Sequence, residues 1–410
     1  MMQITNCRVC NNQNLKNILD LGNQPLANSF LRKEDLDKPE PSYPLNLVFC
    51  NNCGLVQLDF VVSPELMFKN YLWVSGTSDT VPMHFQQLVE EAVRIVNTNK
   101  NSLVVDIGSN DGTLLKGFKK LGVKTLGVEP ATNIAELAEQ SGIETVNDFF
   151  NSKTAEQIVK ERGKAEIITA TNVVAHINDS YDLLTGVNAL LEDDGTFIIE
   201  VPYLADMIQN NEFDTAYHEH LSYFTVRPLV ELFKRFDLKI FDVKRFPIHG
   251  GTIRVYVKKK SSNLKVTNAV NYQLKLEKEI GLDNLETYVK FSERIWKLKH
   301  DLIVLLQKFK AEGKKIVGYG APAKGNTLLN FFKIGPDLLD YIVDKNPLKH
   351  GLYTPGMHIP VMPVEKIMED KPDYMLILAW NFADEIMRQQ QKFKEIGGKF
   401  IIPIPEPRII

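Results

Sequence analysis

The 410-residue chain is predicted to be an α/β protein in three parts: a small cysteine-bearing N-terminal domain, a central Rossmann-like sheet, and a second Rossmann-like α/β domain. Three observations predict this. All four cysteines fall within the first 53 residues, as two C-x-x-C pairs. Apolar strand patterns alternate with helical ones from about residue 80 to residue 262, and the alternation resumes at KKIVGYG (314–320). The expected boundaries are 1–70, 71–262 and 263–410.

Residues 1–70 are rich in turn formers, and Pro25, Pro39, Pro41 and Pro44 interrupt any long helix, so a loop-rich unit is expected. Cys7 and Cys10 are separated from Cys50 and Cys53 by 39 residues. Four thiolates at this spacing can close a tetrahedral shell around Zn²⁺. A shell made wholly of protein ligands leaves no position for water, so the metal is expected to be structural, replacing a core that 70 residues cannot build. Two unrelated free pairs or a redox dithiol are the competing readings, and the ligand spacing favours zinc.

From 80 to 97 the pattern is helical. SLVVDIG (102–108) then reads as a strand, LLKGFKKLG as a helix and KTLGVEP (124–130) as a strand, which is a βαβ unit. Further strands are expected at 165–171, 195–202 and 251–259 with helices between them, giving a mostly parallel doubly wound sheet. Residues 265–312 carry helical periodicity and many charges, and are expected to form a solvated helical connector broken near Gly281. Strands at 314–320, 338–344 and 373–380 build the last domain.

VVDIGSNDGTLL (104–115) places Asp106 at the end of a buried strand, ahead of a glycine turn and a helix. Gly108 lets backbone approach a ligand, Asn110 and Asp111 lie at the helix start, and Asp106 can organise the loop or meet a cationic group. Glu129, at the end of the next strand, is placed to accept from ribose hydroxyls, and Asn147 or Asp148 to receive an adenine amine. The dinucleotide fingerprint G-x-G-x-x-G is absent here. S-adenosylmethionine (SAM) lacks a pyrophosphate and needs fewer glycines, so it is favoured over loosely bound NAD.

DTAYHEHLSYFT (214–225) packs Tyr217, His218, Glu219, His220 and Tyr223 into seven positions. A histidine beside a carboxylate can serve as general base for a weakly acidic C–H. Methylating an sp³ carbon needs such a base, because the proton beside a carbonyl must leave before an enolate can attack. A tyrosine hydroxyl near the carbonyl could stabilise the enolate. A metal held by His218, Glu219 and His220 is disfavoured, since alternate strand positions converge poorly and no distant third ligand stands out. His84, His300, His350 and His358 read as ordinary surface or core residues.

Taken together, these motifs resemble the three-domain nucleotide-sugar C-methyltransferases, notably the C3-methyltransferases of dTDP-3-amino-4-keto deoxysugars. The resemblance runs over essentially the whole chain: the C-x-x-C pairs, VDIGSNDG, TNVVAHI (171–177), the YHEH segment, HGGTIRVY (249–256) and GYGAPAKGNTLLN (318–330). It implies a structural zinc domain, a SAM-binding methyltransferase domain and a C-terminal Rossmann-like domain, with the nucleotide-linked keto-sugar between domains. It implies His220 as general base, with Glu219 and Tyr217 beside it, Tyr71 arriving from the end of the zinc domain, and Asn172 and His176 at the substrate edge of the sheet. The choice of His220 over His218 rests on the resemblance. The position of 172–176 after a strand end, where ligands of open α/β sheets gather, independently favours that segment.

The turn Gly318, Gly320, Ala323, with Asp344 after the next strand, would alone suggest a dinucleotide site. Pro322 inside it and the resemblance argue for a structural or substrate-capping turn, in which Lys324 could reach a sugar phosphate. Three alternatives differ in chemistry: an O- or N-methyltransferase, a non-catalytic zinc-containing binding protein, and an oxidoreductase using this turn. The net charge of −3 and pI near 6.3 argue against nucleic acid as a partner. No signal-like start and no bilayer-length apolar run are present, so a cytoplasmic protein without membrane contact is expected. Oligomeric state is left open, with a monomer admitted.

Overall fold

The computed structural model describes residues 1–68, 74–77, 80–262 and 265–410. Its middle sheet has seven strands in the order Leu238–Phe246, Thr252–Lys259, Leu191–Pro202, Ala165–Thr171, Leu103–Ile107, Lys124–Val128, Thr145–Val146. Thr252–Lys259 runs antiparallel to both its neighbours, and the other pairings are parallel. Leu103–Ile107 is buried at every residue, as a central parallel strand covered on both faces must be. The helix Thr80–Val96 covers one face with Val81, Phe85, Leu88, Val89 and Ala92, a stripe at helical spacing. Charge inside the sheet is paired: the fully buried Arg254 meets Glu200 at 2.6 Å and Glu91 at 2.8 Å, and His84 meets Glu200 at 2.8 Å.

The strand Leu238–Phe246 is absent from the sequence reading. It is an edge strand with Lys239, Asp242 and Lys244 at its less buried positions, and its partner Thr252–Lys259 supplies the pairing that its own weak alternation does not announce.

The N-terminal sheet has the order Ser222–Tyr223, Val56–Leu58, Tyr43–Cys50, Leu15–Gln24, all antiparallel. Its outermost strand thus comes from the histidine-rich segment of the middle region. Residues near the N-terminus are also less loop-like than their prolines suggest, since Leu15–Gln24 is a ten-residue strand.

Two helices, Asn268–Ile280 and Leu285–Ala311, lead to the C-terminal region, and Gly281 ends the first at a φ of 81°. The expected solvated connector is corrected here. The longer helix buries Tyr288, Phe291, Ile295, Leu298, Leu302, Leu306 and Phe309 along one face. Tyr288 packs on Phe49 of the N-terminal sheet at 4.7 Å, and Phe309 stacks on Tyr374 of the C-terminal sheet at 3.9 Å. Its charges occupy the opposite face, and their number hid the stripe. The C-terminal sheet has the order Val361–Met362, Ile342–Val343, Ile316–Tyr319, Tyr374–Ile377, Lys399–Ile402, Arg408–Ile409, parallel except for the last pair.

Candidate active site

The four cysteines converge. Cys7 and Cys53 Sγ lie 3.4 Å apart, Cys10 and Cys50 Sγ 3.5 Å, and all four sulfurs within 4.8 Å of one another. These separations are far from the about 2.05 Å of a disulfide. They approach the about 3.8 Å edge of a tetrahedron with zinc–sulfur bonds of about 2.3 Å. The backbone closes each knuckle: Asn11 N–H donates to the Cys7 carbonyl and Gly54 N–H to the Cys50 carbonyl. Both residues that follow the pairs take positive φ, 59° at Asn11 and 84° at Gly54. The donor set fits zinc, and no other histidine, cysteine or carboxylate group among the described residues gathers in this way.

At the end of Leu103–Ile107 the chain turns through Gly108 at a φ of 65° and Asn110 at 50° before the helix Thr113–Lys120. A Cβ on Gly108 would meet Val173 Cγ2 at 2.4 Å, so this turn is open only to glycine. Glu129 accepts the backbone N–H of Asn110 at 3.0 Å and of Ala131 at 2.9 Å, one on each oxygen, which holds the loop and leaves further lone pairs on both. Asp106 accepts from the Thr169 hydroxyl at 2.6 Å. Burial, with Glu129 and Glu200 nearby, pushes its carboxyl up to about 7. Burial also raises Glu129. Two carboxyls short of compensating charge are suited to a ligand that is itself cationic and rich in hydroxyls. The backbone of residues 75–76 lies on the same loop, Ser75 N–H donating to Asn110 Oδ1 at 2.8 Å and Gly76 N–H to Asp111 Oδ2 at 3.2 Å. Asp148 is exposed after the strand Thr145–Val146 and accepts from Phe149 N–H.

Residues 217–220 form a turn, not a strand, and the two histidines diverge. His218 Nε2 faces the Tyr43 carbonyl at 3.2 Å, and burial pushes its imidazole down to about 4. His220 Nδ1 lies 2.8 Å from the Thr215 carbonyl, which can only accept, so Nδ1 carries the hydrogen and Nε2 the lone pair. The Tyr217 hydroxyl donates to that Nε2 at 2.7 Å. His176 stands 4.9 Å from the His220 ring, centroid to centroid, and stacks on Phe68 at 5.8 Å. Burial lowers His176 to about 4, so its imidazole is neutral at physiological pH. Asn172 occupies the preceding strand end at a φ of 58°, its N–H on the Glu200 carbonyl. Glu219 turns toward the N-terminal region, accepting from Asn28 Nδ2 at 2.6 Å. Tyr71 lies outside the described residues.

His176, Tyr217 and His220 are therefore brought together, while Glu219 links the turn to Asn28 and Asn172 stays at the strand end before His176. Asn28, Phe68 and the Thr215 carbonyl are absent from the sequence reading. Asn28 and Phe68 carry no motif, and a backbone carbonyl has no sequence signature. On the C-terminal side, Trp380 Nε1–H donates to the buried Asp214 at 2.7 Å, and Lys324 Nζ sits 4.8 Å from the Trp380 ring. Asp344 is taken up by its own turn, accepting the N–H groups of Ala321 and Asn346 with Lys349 3.5 Å away. No described helix is long and apolar enough to cross a membrane.

Three family models match successive parts of the chain: "Putative zinc binding domain" over 7–68, "Methyltransferase domain" over 84–243 and "C-methyltransferase C-terminal domain" over 247–405. The C-methyltransferase NovU of Streptomyces niveus is 37% identical over 407 residues, covering 99% of this chain and 97% of that protein. A ubiquinone biosynthesis O-methyltransferase of Rhodopseudomonas palustris (strain BisB5) is 27% identical over 141 residues, 31% of this chain and 55% of its own length. A solved S-adenosylmethionine-dependent methyltransferase from Clostridium acetobutylicum ATCC 824 aligns with 43% of this chain and 91% of its own at 16% identity and a TM-score of 0.35.

Proposed function

The chain belongs to the C-methyltransferase family, with SAM as donor and zinc at its four cysteines, and on that premise we propose that its acceptor is a nucleotide-linked 4-keto-deoxysugar, methylated at the carbon beside the ketone, C3. The observation that carries the reading is the state of His220. Its Nδ1–H is committed to Thr215, so Nε2 is the basic nitrogen, and it lies against the Tyr217 hydroxyl with the His176 ring beside it.

When bound, SAM supplies an electrophilic methyl group. His220 Nε2 would take the proton from the carbon beside the ketone, leaving the C–H electron pair as an enolate that would accept the methyl while the donor's sulfur keeps the electrons of the broken S–C bond. The resulting imidazolium is stabilised at Nδ1–H by the Thr215 carbonyl. Tyr217, whose hydroxyl rests on Nε2, turns that hydrogen toward the oxygen on which enolate charge develops. Neutral His176, beside the His220 ring, adds no competing positive charge.

Mass spectrometry of purified protein with SAM and a panel of dTDP- and GDP-4-keto-deoxysugars in deuterated water tests this. The expected result is one methyl gained on carbon, and solvent deuterium entering beside the ketone when SAM is withheld. Methylation on oxygen or nitrogen, or no product across the panel, would reject the acceptor assignment.

A further inference from the structure

The zinc knuckle carries a side chain that reaches the segments of both His176 and His220. Arg8 lies between Cys7 and Cys10, yet is only 7% exposed. Its backbone N–H donates to Gln57 Oε1 at 2.9 Å, and Gln57 Nε2 returns a hydrogen bond to the Asn6 carbonyl at 3.0 Å, which straps the knuckle to the strand Val56–Leu58. From that fixed base the guanidinium reaches two loops of the middle region. Nε donates to Asn178 Oδ1 at 3.1 Å, and Nη1 to the carbonyls of Leu58 at 2.7 Å and Leu221 at 3.2 Å.

Asn178 is two residues beyond His176, and Leu221 directly follows His220. The two loops also meet, Leu221 N–H donating to the Ala175 carbonyl at 2.8 Å. Beside Arg8, the Val9 carbonyl accepts from the Tyr181 hydroxyl at 3.0 Å, a second link from the knuckle, here to the first turn of the helix Ser180–Leu190 that follows the His176 loop. A guanidinium presents its donors in a fixed planar fork, so one Arg sets the spacing of several acceptors where a lysine would hold one at a time.

We propose that Arg8 is a positioning residue for the reaction: held by the zinc knuckle, its guanidinium clamps the loop of His176 and the turn of His220 in mutual register. Zinc then acts on catalysis through geometry, by fixing the main chain on either side of Arg8. The proposal rests on the assignment of His220 as base.

The test uses the full chain with zinc, as Arg8→Lys, Asn178→Ala and the double variant. Five quantities are read: zinc per chain, SAM affinity, kcat, KM for the keto-sugar, and the imidazole ¹H–¹⁵N signal of the His220 Nδ1–H. Arg8→Lys is expected to keep zinc and SAM affinity and to lose about 10- to 100-fold in kcat, the range of outer supporting contacts, with KM nearly unchanged. The Nδ1–H signal should shift or broaden. Because both single variants break one shared contact, their effects should fall short of additivity in the double variant.

Should Arg8→Lys lose zinc, Asn178→Ala decides, since it removes the same contact away from the thiolates. Zinc-loaded variants with wild-type kcat and an unchanged Nδ1–H signal would overturn the clamp while leaving the acceptor assignment standing. If the wild type methylates no keto-sugar but the signal changes in the variants, the acceptor assignment fails and the clamp stands.

Discussion

The Nδ1–H of His220 donates to the carbonyl oxygen of Thr215 at 2.8 Å, five residues earlier in the same segment. A carbonyl cannot donate, so this bond selects one tautomer and directs the basic nitrogen toward Tyr217 and His176. His220→Asn should therefore lower methyl transfer by about 10²- to 10⁴-fold, the usual contribution of a positioned base. SAM affinity measured by calorimetry should stay close to wild type. Near-normal turnover would move the role to Tyr217.

Gly108 sits at a φ of 65°, with Val173 Cγ2 2.4 Å from where a Cβ would be. Gly108→Ala adds about 1–2 kcal/mol of left-handed backbone strain, and the clash forces the loop or Val173 to move. SAM affinity is expected to fall by about tenfold or more, since about 1.4 kcal/mol is a factor of ten. Unchanged affinity in a folded variant would show that the donor does not depend on this turn.

Chelating the metal removes the coordination that would join Cys7 and Cys10 to Cys50 and Cys53. The sheet they anchor includes Ser222–Tyr223, so stripping zinc should lower both the melting temperature and turnover. Cys50→Ser should be poorly soluble. If SAM binds at the turn after Leu103–Ile107, as proposed, its binding should persist in whatever remains folded. A soluble, active, zinc-free Cys50→Ser protein would refute a structural metal.

Asp214 is fully buried, and burial pushes its carboxyl from 3.8 up to about 6, against the pull of the Lys324 charge and the Trp380 hydrogen bond. Between those pH values the folded chain keeps a proton that the unfolded chain has released. Stability therefore falls as pH rises through this window, by on the order of 3 kcal/mol from this group. Asp214→Asn, which can still accept from Trp380, removes the ionisation. Urea unfolding at pH 4 and pH 7.5 should show the variant gaining on wild type at the higher pH. A gap independent of pH would contradict a protonated Asp214.

Features governed by local rules were legible before the fold was known. Ligand spacing exposed the four cysteines, and a continuous apolar run followed by glycine exposed the strand and turn at 103–112. The edge strand Leu238–Phe246 and the buried face of Leu285–Ala311 were not legible, because each shows its pattern only against a partner.

The sequence alone determined the α/β class, the four-cysteine set and the glycine turn after Leu103–Ile107, because each is written in short local patterns whose chemistry does not depend on distant neighbours. Tertiary structure decided which histidine faces which group: His218 is packed against Tyr43, and His220 meets Tyr217 and His176. It also placed Ser222–Tyr223 in the N-terminal sheet and brought Arg8 to Asn178 and Leu221. The contacts of His218, of Ser222–Tyr223 and of Arg8 join residues about 165 to 213 positions apart, and their direction follows from sheet register and packing, which no local pattern encodes.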